Sequence, residues 1–319
     1  MNRKSIAIMV VCAMIVPGLQ FAPSVSACSV LVLTSHVDFG NGTYSGTTVI
    51  GINDSAKLGL SKEVTDVWTA SQPPSRERHV MAPIYGTHKI FLYGGLFWGE
   101  DKIIWNDTWY YDADANKWYR IITDSGPEGR DSHAMAAFND EPKILVFGGE
   151  NVSNKETNET WIFDFNATKW TREYPTNAPK AGFEYAMAML QTTDKAVLFG
   201  GCSNSRIGFN ETWIYNISDN EWTNANPINH PDGRYGAAMA PVPGDDRVLL
   251  FGGWNATKRS NDTWIYDYSD NNWTRLAPAD APPQRFYLGM ASVYNDDKVV
   301  IFGGGGFPDQ YMNDTWVYD

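Results

Sequence analysis

Cysteine, histidine and long apolar runs are all scarce in this chain. Its 319 residues include three cysteines and five histidines. Two of the cysteines, Cys28 and Cys202, lie beyond the N-terminal segment and allow one bridge at most. A disulfide framework is therefore excluded, and stability must come from a packed core. No block of Lys or Arg is present, and the formal net charge is −12. That lacks the electrostatic footprint of a nucleic-acid binder and argues against docking on an anionic membrane surface. No segment keeps a helical period, which excludes helical solenoids. Past residue 27 nothing approaches the roughly 20 apolar residues of a spanning helix, so no membrane insertion of the mature domain is expected.

The one long apolar run stands at the N-terminus. Arg3 and Lys4 precede Ile6 to Val16, and Val25-Ser26-Ala27 supplies a small-residue cleavage site. Residues 1–27 read as a secretory signal peptide, which predicts an exported chain beginning at Cys28. Loss of Arg3 and Lys4 takes the net charge from −12 to −14. The same four residues, Val25 to Cys28, also fit a bacterial-type lipobox, in which Cys28 would carry a lipid anchor at the cell surface. Twelve Asn-x-Ser/Thr sequences occur. Asn41, Asn151 and Asn255 fall in expected loops, where glycosylation is sterically open.

What the chain has in abundance is repetition. Gly pairs stand at Gly94-Gly95, Gly148-Gly149, Gly200-Gly201, Gly252-Gly253 and Gly303-Gly304, 51 to 54 residues apart. About a dozen residues after each pair comes Asn-(Asp/Glu)-Thr-Trp, with Trp109, Trp161, Trp213, Trp264 and Trp316. A second tryptophan follows nine residues later in four units: Trp118, Trp170, Trp222 and Trp273. Each unit holds four short strand-like segments bounded by Gly, Pro, Asn and Asp. In the second unit these are His133 to Phe138, Lys143 to Phe147, Thr160 to Phe165 and Lys169 to Arg172. We name them strands a to d. A four-stranded antiparallel unit of about 50 residues is a propeller blade, which must stack on its neighbours to bury its apolar faces. Met81, Met135, Met187, Met239 and Met290 recur in strand a beside small residues, as the crowded inner strand requires.

The double glycine after an apolar strand, followed by a spaced aromatic pair, resembles the kelch repeat. The resemblance covers residues 76–319 in five units and implies an all-β propeller of four-stranded antiparallel blades. The all-tryptophan first aromatic is similar to exported microbial kelch proteins, and galactose oxidase shares the repeat as a remote relative. Residues 28–75 read as a degenerate N-terminal blade and closure strand. Val30 to Leu33 stand for strand b, Thr47 to Asn53 for strand c, and the strand of Trp68 for d. The chain stops at Asp319, the end of a strand c. Six blades are preferred, because the N-terminal segment has three strands to place; a five-bladed ring is the alternative.

For function, the b–c and d–a loops emerge on one face of the ring. The b–c loops carry non-repeating aromatics, among them Trp98, Trp105 and Trp254. The d–a loops deliver Arg76, Arg130, Arg234 and Arg285, each 18 residues before its Gly pair, with Gly182 at that place in the third unit. Aromatic platforms beside Arg donors suit sugars or anionic groups. The competing reading makes the arginines structural bonds to loop carbonyls. His79 and His133 share a place in adjacent strands a, yet no third metal ligand is evident. No catalytic constellation and no cofactor motif is identifiable. The expected function is a binding module at the cell surface for a protein or glycan ligand. A sugar mutarotase or a galactose-oxidase-like oxidase is the alternative.

Overall fold

The computed structural model describes residues 29–38, 43–52, 72–99, 102–255, 257–293, 296–306 and 311–319. The chain divides into two compact units, Met1–Ser71 and Gln72–Asp319. In the first, Ser29–Asp38 pairs antiparallel with Thr43–Ile52, placing Leu33 opposite Thr48. The strands expected from Val30 and from Thr47 fall within this hairpin. The signal peptide, Cys28, Asn41 and the expected strand at Trp68 lie outside the described residues.

The second unit is a five-bladed β-propeller, and no helix occurs among the described residues. Blade 1 consists of Val80–Ile84, Lys89–Tyr93, Thr108–Asp112 and Lys117–Ile121. Blade 2 consists of Ala134–Ala137, Lys143–Phe147, Thr160–Asp164 and Lys169–Glu173. Blade 3 consists of Phe183–Met189, Lys195–Cys202, Thr212–Asn216 and Glu221–Asn224. Blade 4 consists of Ala238–Pro241, Arg247–Phe251, Thr263–Asp267 and Asn272–Leu276. Blade 5 has three described strands, Gly289–Ser292, Val299–Phe302 and Thr315–Tyr318. Five blades replace the preferred six. The N-terminal unit provides a two-stranded hairpin among the described residues, where a blade needs four strands.

The core lies between blades, because each sheet is too thin to bury its own faces. Met135 packs backwards onto Phe91 and Ile84 of blade 1. Its neighbours Ala134 and Ala136 face forwards, towards Met187 and Leu198 of blade 3. Small residues on one face of strand a thus let the next sheet approach, and methionine fills the gap on the other. In blades 2 to 4 the second tryptophan is the main wedge. Trp170, Trp222 and Trp273 are buried, and each reaches back to the blade before its own. Trp222 meets Phe147 at 5.0 Å between ring centres, and Trp273 meets Phe199 at 5.2 Å. Each indole N–H also donates to the threonine of the preceding Asn-(Asp/Glu)-Thr-Trp: Trp170 to Thr108, Trp222 to Thr160 and Trp273 to Thr212, at 2.9 to 3.1 Å. That accounts for the threonine in the motif, since a buried indole N–H needs a partner.

Candidate functional site at the channel mouth

The d–a loop, strand a and the Gly pair build one face of the propeller together. Gly252 and Gly253 adopt φ of +72° and +96°. A Cβ on Gly252 would stand 2.5 Å from the Arg285 carbonyl oxygen of the next blade. Only glycine fits both the left-handed backbone and that approach. In return the Gly253 N–H donates to the same carbonyl at 2.9 Å.

Where strand a begins, each blade places one residue at positive φ: Arg78 (+54°), Ser132 (+55°), Glu184 (+59°), Gly236 (+61°) and Tyr287 (+55°). Their backbones form a relay around the channel. Ser132 N–H donates to the Arg78 carbonyl, Glu184 to Ser132, Gly236 to Glu184 and Tyr287 to Gly236, at 2.8 to 3.1 Å. Four of the five carry a side chain in a region L-residues avoid, at a cost of order 1–3 kcal/mol each. The backbone repeats strictly here while the side chains do not, which separates this ring from the rest of the repeat.

The b–c loops carry a basic residue in each of the first four blades: Lys102, Lys155, Arg206 and Arg259. Lys102 Nζ bonds Glu150 at 3.1 Å and Asn154 at 2.6 Å. Arg206 Nη1 lies 2.9 Å from Glu184 Oε1, and its guanidinium stacks over Phe183 at 4.8 Å. Arg259 stacks over Trp254 at 5.3 Å and Phe286 at 5.2 Å. Several electrostatically perturbed groups lie in the same place. Burial, then the neighbouring Glu184 charge, raises the pKa of the Tyr287 phenol. The same two causes push the Cys202 thiol up to about 12, leaving it inert at neutral pH. Burial likewise raises the Asp131 carboxyl, which has Arg78 Nη1 at 3.8 Å. Among the described residues no group of three or more His, Cys, Asp or Glu side chains is placed to hold a metal.

A family model described as the KLHDC2/KLHL20/DRC7 Kelch-repeats domain matches residues 52–182 and 143–319. The chain belongs to the kelch-repeat family. It is 28% identical over 272 residues to protein tag-53 of Caenorhabditis elegans, covering 79% of this chain and 20% of that one. It is 27% identical over 237 residues to Adagio-like protein 1 of Oryza sativa subsp. japonica, covering 68% of this chain and 37% of that one. To the dynein alpha chain of the flagellar outer arm of Chlamydomonas reinhardtii it is 32% identical over 146 residues, 44% of this chain and 3% of that one. The chain therefore spans well under half the length of these relatives.

Within this kelch propeller the recurrent arginines of the d–a loops occupy the blade junctions. Arg76 Nη1 donates to the Gly94 carbonyl at 2.9 Å, and Arg130, Arg234 and Arg285 do the same to Gly148, Gly252 and Gly303 at 2.9 to 3.0 Å. Each also pairs with the acidic residue of Asn-(Asp/Glu)-Thr-Trp, namely Asp107, Glu159, Asp262 and Asp314. That carboxylate in turn accepts the indole N–H of the following Trp109, Trp161, Trp264 or Trp316 at 2.7 to 3.0 Å. The guanidinium groups are committed to this internal network. In blade 3, where Gly182 replaces the arginine, Lys180 Nζ takes over the bond to Glu211 at 2.8 Å.

The three expected aromatics separate. Trp98 tips a short hairpin of Leu96–Trp98 and Lys102–Ile104, is 58% exposed, and has Lys102 Nζ 5.2 Å from its ring centre. Trp105 is half-buried beneath Arg76, at 5.2 Å. Trp254 is wedged between Tyr235 and Phe286, so it is part of the loop packing. The ring at positive φ and the b–c loop cations were not among the residues expected from sequence. Arg206 and Lys155 fall at near-constant distances after their Gly pairs, which is the one signal that pointed to them.

Proposed function

We propose that this kelch propeller is a non-enzymatic binding module that docks a protein partner on its channel-mouth face, in an exported chain. The observation that carries this reading is the ring of five positive-φ positions, alike in backbone and different in side chain. Kelch propellers serve chiefly as interaction modules, and exposed aromatics on the same face supply docking area. Trp98 and Tyr311 rise from the b–c loops of blades 1 and 5, Tyr311 at 97% exposure. Large rigid rings bury much area at little entropic cost. Tyr311 also lines a cleft of about 470 Å³, together with Phe286, Tyr287 and Phe302. A glycan ligand is the second reading, favoured by the open Trp98 indole with Lys102 beside it.

The test is an array screen, protein and glycan, of the propeller and of Trp98→Ala, Tyr311→Ala and Tyr85→Ala. Tyr85 is exposed on an a–b loop, at the opposite face. Loss of a hit in the first two variants with retention in Tyr85→Ala is the expected result. The reverse pattern would move the site to the other face.

A further inference from the structure

The pairing of Glu184 with Arg206 leaves one carboxylate oxygen short of a partner, unlike the pairs of the recurrent arginines, where even Glu159, met by Arg130 on Oε2 alone, has Arg172 on Oε1. Arg76, Arg234 and Arg285 each grip both oxygens of their partner. Arg206 donates only to Oε1 of Glu184, and Oε2 is buried with no well-formed hydrogen bond, although the Tyr287 hydroxyl approaches the carboxylate. The two side chains also differ in fixity. Glu184 is 4% exposed and anchored in the relay by its backbone, whereas Arg206 is 43% exposed. Arg206 hangs from a loop at φ +57°, next to the exposed Ile207. A buried carboxylate oxygen left unpaired is costly, and a guanidinium approaching end-on would satisfy both oxygens at once.

The walls suit the same group. Phe183 and Tyr235 hold equivalent places in blades 3 and 4, and the Arg206 guanidinium carbon is 4.8 Å from the first ring centre and 6.0 Å from the second. Tyr287 closes the slot from blade 5, within electrostatic reach of both Glu184 and Arg206. Aromatic faces on two sides and a carboxylate at the base select a flat cation. The formal charge of −12 favours its approach.

We infer that Glu184, Phe183, Tyr235 and Tyr287 form a binding slot for a basic side chain of the partner, arginine foremost, and that Arg206 is its built-in, competing occupant. This rests on the reading of the mouth as a docking face, and it names the chemistry that the face recognises. A partner arginine enters as Arg206 swings out with its loop, exchanging a one-point ion pair for a two-point one.

The test needs no partner. The probe is the peptide acetyl-Gly-Arg-Gly-amide, with the citrulline peptide as its uncharged isostere, titrated by calorimetry and NMR into the whole chain. Arg206→Ala vacates the slot and should bind the arginine peptide at least about tenfold more tightly than wild type, while Arg206→Lys stays near wild type. The double variant Glu184→Gln/Arg206→Ala should lose the gain, and citrulline should not bind. Near-UV circular dichroism verifies that each variant is folded. If Arg206→Ala binds no better than wild type, or citrulline binds equally, the slot is wrong. A filled slot alongside a failed Trp98 and Tyr311 screen would keep the slot and overturn only the wider docking face.

Discussion

Removing the Arg234 guanidinium separates the structural role of the recurrent arginines from the ligand-binding role that their pattern first suggests. Arg234 is 1% exposed and makes four hydrogen bonds. They go to the Asp232 carbonyl at 3.0 Å, the Gly252 carbonyl at 3.0 Å, and the two oxygens of Asp262 at 2.5 and 3.1 Å. Arg234→Met keeps most of the apolar stem and deletes the fork. It leaves the Gly252 carbonyl unpaired and a carboxylate of 15% exposure with only the Trp264 indole N–H at 2.8 Å. Breaking a buried pair from one side costs about 3–5 kcal/mol, and Asp262 has little water to turn to. Arg285→Met should cost less, about 1–2 kcal/mol, because its partner Asp314 is 39% exposed and can rehydrate. Arg234→Lys keeps the charge without the planar fork and should fall between wild type and Arg234→Met. The pH dependence carries a sign. Burial alone would push the Asp262 carboxyl up, and the Arg234 bonds and charge reverse that and hold it below its ordinary value. Its stabilisation is therefore present above the ordinary carboxylate range and is lost as pH falls through the lowered value. The gap between wild type and Arg234→Met should narrow in acid. Urea unfolding at several pH values measures all of this. A loss below about 1 kcal/mol for Arg234→Met, or lost ligand binding at unchanged stability, would refute the structural assignment.

Trp222→Ala, removing a wedge between blades 2 and 3, should cost about 3–5 kcal/mol in chemical denaturation. Trp98→Ala, on an exposed hairpin tip, should stay within about 0.5 kcal/mol, and equal losses would contradict the division into wedge and platform. His133 is buried, and burial followed by the Arg130 and His79 charges lowers its pKa from 6.5 to about 3. The folded chain keeps it neutral while the unfolded chain takes a proton. Stability is thus full above pH 6.5 and falls by up to about 1.4 kcal/mol per pH unit below it. His133→Phe should flatten that slope between pH 6.5 and about 3; parallel profiles would refute it.

Much of the fold was legible because its determinants repeat. Strand positions in blade 2, the Met–Ala division of strand a and the need for two glycines all follow from local chemistry, and the structure has them. Blade number was less legible. The apolar stretches from Val30 and from Thr47 have strand character, but strand character does not specify which sheet a strand joins. The tryptophans were only half legible. Both kinds are large and apolar, yet in blades 2 to 4 the second is the buried wedge, whereas most of the first kind are half-buried with the indole N–H on an acidic neighbour. Composition at the two sites is the same, and only the register across blades tells them apart. The arginines misled in a related way, since a donor in a loop looks alike whether its acceptor is a ligand or the Gly252 carbonyl.

The candidate site has a signature of its own, which is departure from the repeat. Blade 3 departs most. Gly182 stands where four blades have arginine, and a Cβ there would meet the Cys202 carbonyl at 2.7 Å and the Tyr185 hydroxyl at 2.9 Å, so no arginine fits. Tyr185 replaces the histidine of blades 1 and 2, and its hydroxyl donates to the Lys180 carbonyl at 2.7 Å, which helps rebuild the junction around the lysine that bonds Glu211. Strands a and b of this blade run longer than in the others, carrying Phe183, Glu184 and Cys202 as far as the mouth. A repeat held by packing has little reason to lose its junction arginine, since the replacement bond from Lys180 is a single, more exposed contact. The space at Gly182 is taken by Phe209 and the Tyr185 hydroxyl, and the two residues that follow, Phe183 and Glu184, are the ones that receive Arg206. The repeat therefore gives the architecture, and the place where it is broken marks the surface on which we propose that binding is built.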